Sequence, residues 1–298
     1  MEHEERETTL LTLEMTSSNP RYPALLTPRT LLVPYSPHHV PTYHTWMQSP
    51  SLQQLTASEP LSLEEEYAMQ RSWREDGDKL TFIICVAPGE GELSDAKGEK
   101  SKEEECIRAG RYDTPESMVG DVNLFLVEEE VDEFDERETD SSISQQQQQQ
   151  HTSHISPSSS PPSKPVNLTC ELEIMIASPH HRGKGLGRSA LLAFLSYILD
   201  NAGAIAGEFT QYKSTANTTT SSPTSTTPPT PTLTTLRVKI AQDNTPSLHL
   251  FASLGFTLLN DGAANYFGEV EMRWDCVGKV GKVFEGGGRG EVLGYVEG

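Results

Sequence analysis

The chain has 298 residues, with 43 acidic and 23 basic side chains and a formal net charge of −20. An acidic balance of this size disfavours nonspecific binding to nucleic acid and to anionic membrane surfaces, so we expect neither as a partner. The four cysteines form no C-x-x-C pair, and no cysteine or histidine spacing is typical of a zinc site, so we expect no metal. No basic and apolar leader is visible at the start of the chain, which predicts a cytoplasmic protein, with the nucleus as a second possibility.

The first half of the chain reads as a tail followed by alternating strands and helices. Residues 1–28 are predicted to be a disordered tail. The pair Ser62 and Glu65 is a capping box, which predicts that a helix begins there. The other predicted elements are a strand at Leu31–Val33, a helix containing Val40, Tyr43, Trp46 and Met47, and strands at Leu80–Ala87 and Ser117–Val127.

The second half continues the alternation and predicts one α/β domain over residues 29–274. The elements are a strand near Glu171–Ala177, a helix after Arg188, a strand at Thr235–Ile240, a helix after Asn244 and two terminal strands. Low-complexity stretches at 88–116, 128–167 and 205–235 lack the apolar content to offset the entropy of ordering, so they are predicted to be disordered insertions. Residues 275–298 are predicted to be a C-terminal extension.

The segment between the Glu171–Ala177 strand and the following helix combines glycines with positive charge. Gly183, Gly185 and Gly187 alternate with basic residues, and Leu186 opens the apolar stretch. Arg182, Lys184 and Arg188 supply the charge. A helix start leaves N–H groups unpaired and carries a partial positive charge, so this pattern predicts an anion site suited to a phosphate. The spacing fits neither the dinucleotide G-x-G-x-x-G pattern nor a Walker loop, and a flexible basic turn remains the alternative.

Two motifs carry a resemblance to a known family. The run Arg182–Gly187 resembles the R/Q-x-x-G-x-G/A signature of the GNAT superfamily of acetyltransferases, in which this loop binds the pyrophosphate of acetyl-CoA. A second segment is similar to the family pattern N-x-x-A/S-x-x-L-x-x-x-x-G-F, and it is formed by Asn244, Ser247, Leu250, Gly255 and Phe256. The N-terminal half further resembles one branch of the family, the N-acetyltransferase 9-like proteins.

The resemblance implies a fold and a reaction. The fold is an α/β arrangement with a mixed, twisted sheet, flanking helices and two central parallel strands that splay apart around acetyl-CoA. The backbone of Met175 and Ile176 is expected to bind the pantetheine and polarise the acetyl carbonyl, and Asn244 is expected to contact the cofactor or to cap its helix. The implied activity is acetyl transfer to a primary amine, of a protein N-terminus or a lysine, by direct attack on the thioester.

The attacking amine must lose a proton, and two carboxylates are candidates for the base. Glu173 and Glu171 share the strand face opposite its aliphatic row, and Glu173 lies nearer the glycine segment. The alternative is that both are simply solvated. Asp121 and Asn123 share a face of another strand and are predicted either to line the amine pocket or to form an exposed polar edge.

Phe251 stands where many family members carry a tyrosine that protonates the departing thiolate. Phenylalanine has no proton to give, so a catalytically weak CoA-binding or protein-interaction module is the alternative function. The histidine pairs His38–His39 and His180–His181 are predicted to be surface residues rather than metal ligands.

Overall fold

The computed structural model describes residues 23–89, 106–128, 167–216, 231–275, 284 and 288–297. Its helices are α1 (Val40–Met47), α2 (Pro50–Thr56), α3 (Leu63–Glu75), α4 (Leu186–Asp200), α5 (Ala202–Ala216) and α6 (Thr245–Ser253). Its strands are β1 (Pro23–Leu26), β2 (Thr30–Pro34), β3 (Lys79–Val86), β4 (Cys106–Arg108), β5 (Met118–Glu128), β6 (Asn167–Ile176), β7 (Thr232–Ala241), β8 (Thr257–Leu258), β9 (Glu269–Asp275) and β10 (Glu291–Val296).

The strands form one mixed sheet in the order β4-β10-β1-β2-β3-β5-β6-β7-β9-β8. The pairs β6–β7 and β10–β4 are parallel, and the remaining neighbours are antiparallel. The mixed sheet and flanking helices confirm the predicted fold class.

Two hydrophobic clusters cover the two faces of the sheet. On one face α4 packs its apolar side chains against β3, β5 and β6, and Phe194 meets Phe82 edge-on. On the other face α1 contributes Val40, Tyr43 and Met47. The central strands are therefore buried on both sides, which is why β3 reads as an unbroken apolar run rather than an alternating one.

The two central parallel strands separate part of the way along their length. Their pairing runs from Asn167 with Thr232 to Glu171 with Arg237 and then stops. Strand β6 continues to Ile176 and β7 to Ala241, so the second half of each strand borders a gap rather than its neighbour. This confirms the predicted splay.

The start of helix α3 is held by the predicted capping box of Ser62 and Glu65. The hydroxyl Oγ of Ser62 accepts a hydrogen bond from the Glu65 N–H (3.3 Å), and the Ser62 N–H donates to Oε2 of Glu65 (2.8 Å). The capping box therefore holds the first turn, as predicted.

The predicted domain boundaries need correction where described residues fall inside them. Strand β1 lies within the predicted tail 1–28, and β10 lies within the predicted extension 275–298, although both are hydrogen-bonded members of the sheet. Strand β4 and the fully buried Asp113 lie within the predicted insertion 88–116, and α5 occupies the start of the insertion 205–235. The remainder of the predicted tail, insertions and extension lies outside the described residues.

Among the described residues, no single helix has both the length and the apolar character needed to cross a bilayer. The bent pair Leu186–Asp200 and Ala202–Thr215, with 73° between its helices, passes that test only when the two are taken together.

Candidate active site

The gap between β6 and β7 opens into a cavity of about 590 Å³. Its wall brings together the glycine segment, the first turn of α6, the end of β6 and one side of α2. All the predicted cofactor residues except Lys184 line it, namely Met175, Ile176, Arg182, Gly183, Gly185, Leu186, Gly187, Arg188 and Asn244. The two motifs, about sixty residues apart in the chain, therefore face one space.

The glycine segment leaves the first turn of α4 open to that cavity. Gly183 and Gly185 have φ values of 70° and 79°, in the left-handed region that favours glycine. Gly185 is the N-cap of α4, and no side chain caps the helix there. The N–H groups of residues 186–188 are therefore available to an anion, with the helix dipole adding a partial positive charge.

The predicted cations turn out to have different roles. The Arg182 guanidinium folds back on its own strand, where Nε donates to the carbonyl of Ile176 (2.8 Å) and Nη2 to that of Ala177 (3.2 Å). Arg188 donates through Nη1 to Oγ of Ser253 (2.7 Å), which ties α4 to α6. These two arginines therefore hold the loop in shape, besides contributing positive charge.

Sequence reasoning missed a further cation at this loop. Nη1 of Arg29, at the start of β2, donates to the carbonyl of Lys184 (2.7 Å). A Cβ placed on Gly185 would come within 2.9 Å of the same Nη1 atom. No local pattern marks Arg29, because its partner lies 155 positions away in the chain.

Asn244 fulfils the capping role that was one of its two predicted roles. Its Oδ1 accepts a hydrogen bond from the Ser247 N–H (3.3 Å) at the start of α6, and both residues border the cavity. One turn later, Phe251 is buried in the core, where its ring meets Phe256 edge-on at 5.1 Å. It does not line the cavity, and its ring offers no proton there.

The end of β6 carries the backbone that faces the gap. Met175 pairs with Asp121 and Ile176 with Gly120 on β5. A Cβ at Gly120 would collide with the Met175 carbonyl, so the close approach of the two strands requires glycine. Beyond Glu171, β6 has no pairing partner on its β7 side among the described residues. The Ile176 carbonyl accepts from Nε of Arg182, and the remaining backbone groups along that edge suit an extended ligand.

The two candidate bases differ sharply in their surroundings. Oε2 of Glu171 accepts from Nε of Arg237 (3.0 Å) and from Nζ of Lys239 (2.9 Å), so this carboxylate is engaged in two ion pairs. Glu173 forms no ion pair with another described residue, although Lys239 acts on it from a longer distance. Burial of its carboxyl group raises its pKa to about 7, although the residue as a whole is exposed, and the negative charges of Asp121 and Glu171 add to the shift. A base poised near neutrality is suited to proton transfer at physiological pH.

Asp121 and Asn123 lie on the strand next to Glu173. Both residues are buried, so the alternative prediction of an exposed polar edge is wrong. Asn123 pairs directly with Glu173, and Asp121 with Met175. Burial raises the pKa of Asp121 to about 6, against the hydrogen bonds from Asn123 and Tyr43 that lower it. Asp121, Asn123 and Glu173 do not line the cavity itself, and Asp121 and Asn123 lie one strand away from the gap, on the β5 side of β6.

The first histidine pair was wrongly predicted to be wholly on the surface. His39 is fully buried, and its Nε2 and that of His38 both bond to Oδ2 of Asp113 (3.0 and 2.9 Å). The Ser36 N–H donates to Nδ1 of His39 (3.0 Å), so in the neutral ring Nε2 carries the proton. Because burial lowers the pKa of His39, this neutral form persists, and its protonated Nε2 is a poor metal ligand.

The second histidine pair lies at the edge of the cavity. His180 is exposed, whereas His181 lines the cavity, and its Nδ1 lies 2.8 Å from Oγ of Ser178. No sequence pattern marks His181 as a site residue.

Comparison with known proteins agrees with this arrangement. The family description "Acetyltransferase (GNAT) domain" matches residues 29–257. The chain belongs to the GNAT acetyltransferase family. It is an N-acetyltransferase of the acyltransferase class, EC 2.3.1, with the GNAT fold.

Individual relatives place it in one branch of the GNAT family. It is 34% identical to an N-acetyltransferase 9-like protein of Schizosaccharomyces pombe over 245 residues, which cover 81% of this chain and 91% of the relative. It is 36% identical to the human alpha/beta-tubulin-N-acetyltransferase 9 over 257 residues, which cover 84% of this chain and 81% of the relative. The predicted resemblance to N-acetyltransferase 9-like proteins is confirmed.

Solved structures of other GNAT proteins are more distant. A spermidine N-acetyltransferase from Vibrio cholerae, in complex with CoA and spermine, has a TM-score of 0.43 at 14% identity and covers 83% of this chain and 95% of its own. RimL, a ribosomal L7/L12 alpha-N-protein acetyltransferase in complex with CoA, has a TM-score of 0.45 at 10% identity. The match covers 85% of this chain and 97% of RimL.

Proposed function

We propose that this GNAT protein transfers the acetyl group of acetyl-CoA to a primary amine of a protein, at its N-terminus or at a lysine, by direct attack on the thioester. The observation that carries the proposal is the cavity between β6 and β7, which joins an uncapped helix start to a free strand edge. Glu173 lies on β6 within two residues of that edge's Met175.

The residues present fit coenzyme A. The N–H groups of residues 186–188 have no capping side chain and suit the diphosphate, and Arg29 and Lys184 supply nearby positive charge. The unpaired edge of β6 at Met175 and Ile176 suits the amide-bearing pantetheine arm. Bound there, acetyl-CoA supplies an activated acyl group whose carbonyl can be stabilised by a backbone N–H donor, an effect of about 3 kcal/mol in comparable sites.

Glu173 is the base in this proposal, in preference to Glu171. The carboxylate of Glu171 is engaged by Arg237 and Lys239, whereas Glu173 is ionised above pH about 7 and can accept a proton there. Its conjugate acid then returns the proton to solvent.

Phe251 favours the second candidate function, a CoA-binding module with slow turnover. The buried phenyl ring of Phe251 cannot donate a proton to the departing thiolate. A thiol with an intrinsic pKa of about 8.5 can still leave and be protonated by water, so slow departure does not by itself prevent turnover.

The acceptor protein is suggested by the relatives' names. Both the human and the Drosophila melanogaster relatives are called alpha/beta-tubulin-N-acetyltransferase 9. We therefore propose tubulin as the first acceptor to test and the cytoplasm as the site of action, with the nucleus as the alternative.

A thiol-release assay distinguishes the two functions. The protein is incubated with acetyl-CoA and either tubulin or a mixture of peptides with free amines, and acetylated positions are mapped by mass spectrometry. The enzyme proposal expects amine-dependent thiol release and acetylation of an α-amine or a lysine. Tight CoA binding by calorimetry, with no release above background on either substrate, would instead support the binding module.

A further inference from the structure

Two buried polar residues on β5 form an acceptor pair beside the end of β6. Asp121 and Asn123 are two positions apart on the same face of the strand, and they are 2% and 3% exposed. Their direct neighbours across the strand pair are Met175 and Glu173. The pair therefore lies next to both the edge expected to bind the pantetheine and the proposed base.

Each residue of this acceptor pair has an unused hydrogen-bond acceptor. Nδ2 of Asn123 donates to Oδ2 of Asp121 (2.8 Å), which fixes the orientation of the amide. Oδ1 of Asp121 and Oδ1 of Asn123 are buried, and neither accepts a hydrogen bond from a described residue. Buried acceptors of this kind are costly unless a donor reaches them, so the pair is built for a partner that brings N–H or O–H groups.

The charge around the acceptor pair identifies that partner. Asp121 is faced by Tyr43 of α1, whose hydroxyl donates to Oδ2 (3.5 Å), by Tyr35 at the end of β2, and by Glu173 of β6. Glu66 of α3 adds a further buried carboxyl group near both tyrosines. No described lysine or arginine forms an ion pair with Asp121. The surroundings are rich in acceptors, and the nearest described cation acting on them, Lys239, acts on Glu173, so Asp121 suits a positively charged donor.

We propose that Asp121 and Asn123 bind the acceptor amine in its ammonium form, with the two free Oδ1 atoms each accepting one N–H. This inference rests on the proposed function and names the charge state that the site selects. The third N–H passes its proton to the ionised carboxylate of Glu173. The neutral amine then forms the new C–N bond, and the C–S bond breaks with its electron pair remaining on sulfur. The nitrogen loses its second proton to the CoA thiolate, by way of solvent, which leaves a neutral amide and the CoA thiol.

Binding of an ammonium ion by Asp121 is accompanied by the release of protons. Without a bound cation, burial keeps the pKa of Asp121 at about 6, so a fraction of Asp121 is protonated at mildly acidic pH. A bound ammonium favours the charged carboxylate and lowers that pKa, so binding releases protons near pH 6. Glu173, with a pKa of about 7, contributes a second release at higher pH. Neither release needs catalytic turnover.

The test uses the full chain saturated with CoA and titrated with methylammonium chloride, and an indicator dye records proton release between pH about 5.5 and 8. Tetramethylammonium chloride at equal ionic strength is the control ligand, because it carries the same charge without N–H donors. The proposal expects saturable release with methylammonium and none with tetramethylammonium.

Variants separate the two carboxyl groups. Asp121→Asn keeps the shape but removes the charge, so methylammonium affinity should fall about tenfold and the release near pH 6 should disappear. Glu173→Gln should keep that release and lose the one near pH 7. Asp200→Asn removes a charge from an exposed pair with Arg289 and should behave as wild type.

A second variant, Asn123→Leu, keeps the proposal testable if Asp121→Asn does not fold. Asn123→Leu removes one acceptor at similar volume and should also weaken methylammonium binding, while unchanged CoA affinity by calorimetry reports an intact fold. The proposal would be overturned if Asp121→Asn and Asn123→Leu bound methylammonium as tightly as wild type does, or if tetramethylammonium released as many protons. Water alone would then be the partner of the two acceptor atoms. Absence of acetyl transfer with these proton releases intact would reject the proposed function and not this site.

Discussion

Arg29 donates a hydrogen bond from Nη1 to the carbonyl oxygen of Lys184 (2.7 Å), joining the start of β2 to the glycine segment 155 positions later. The contact places a guanidinium against Gly185, beside the uncapped first turn of α4. The anion site is thus supported from a distant part of the chain, and its strength depends on more than the glycine motif.

Replacing Arg29 with alanine is expected to weaken CoA binding about tenfold. The change removes a charged hydrogen bond that holds the loop and a positive charge near the diphosphate, an effect of about 1.5–3 kcal/mol. Isothermal titration calorimetry measures it. Arg29→Lys keeps the charge and should lose less, whereas an unchanged dissociation constant in Arg29→Ala would remove Arg29 from the site.

Gly185→Asp is expected to reduce CoA affinity more than about a hundredfold. Its φ of 79° strains any side chain, and the new carboxylate would repel the diphosphate. Gly268→Asp is the matched control, because Gly268 has nearly the same φ of 78° and open space around it, on the loop before β9. Equal CoA affinity in the two variants would show that strain, and not the phosphate site, explains any loss.

Glu173→Gln is expected to lower the acetylation rate by about two orders of magnitude at neutral pH and to change the pH profile. Burial raises the pKa of Glu173 to about 7, so the wild-type rate should rise as pH increases through 7, where the carboxylate becomes able to accept a proton. The variant should lack that inflection. Glu171→Gln should retain it, because Glu171 is held in ion pairs. Profiles of the same shape in wild type and Glu173→Gln would reject Glu173 as the base.

Asp113→Asn is expected to lower the free energy of unfolding by about 2–4 kcal/mol, because Asp113 joins three parts of the chain. Its Oδ2 accepts from His38, His39 and Tyr295, and its Oδ1 accepts from the Gly110 N–H. Urea unfolding measures the change, with Asp200→Asn as the control. A midpoint equal to that of wild type would contradict this structural role.

The same residue predicts a pH dependence of stability. Burial alone would raise the pKa of Asp113, but the hydrogen bonds from His38, His39 and Tyr295 outweigh it and hold the pKa well below its usual range. A depressed folded-state pKa stabilises the fold above the unfolded-state value of about 3.9, and the contribution falls as pH drops below it. The stability difference between wild type and Asp113→Asn should therefore shrink between pH about 5 and 3.

What the sequence could predict was local. The glycine segment, Asn244 and the capping box at Ser62 each act within a few residues, so their spacing carries their role. Helix α4 and the central strands were equally readable, because burial imposes long apolar runs on them.

The parts that were missed depend on contacts between distant segments. Strand β10 pairs with β1 and β4, which both lie much earlier in the chain, so its place in the sheet depends on contacts between distant segments. His39 can be buried because Asp113, 74 positions away in the chain, accepts the hydrogen bond from its ring N–H. Arg29 and the acceptor pair of Asp121 and Asn123 likewise gain their meaning only from neighbours that the fold supplies.

The most direct test of the account is a crystal structure of the chain with coenzyme A. We expect the diphosphate on the N–H groups of residues 186–188 and the pantetheine along β6 at Met175 and Ile176, between the separated strands. A diphosphate bound elsewhere, or a gap between β6 and β7 closed by protein atoms, would contradict it.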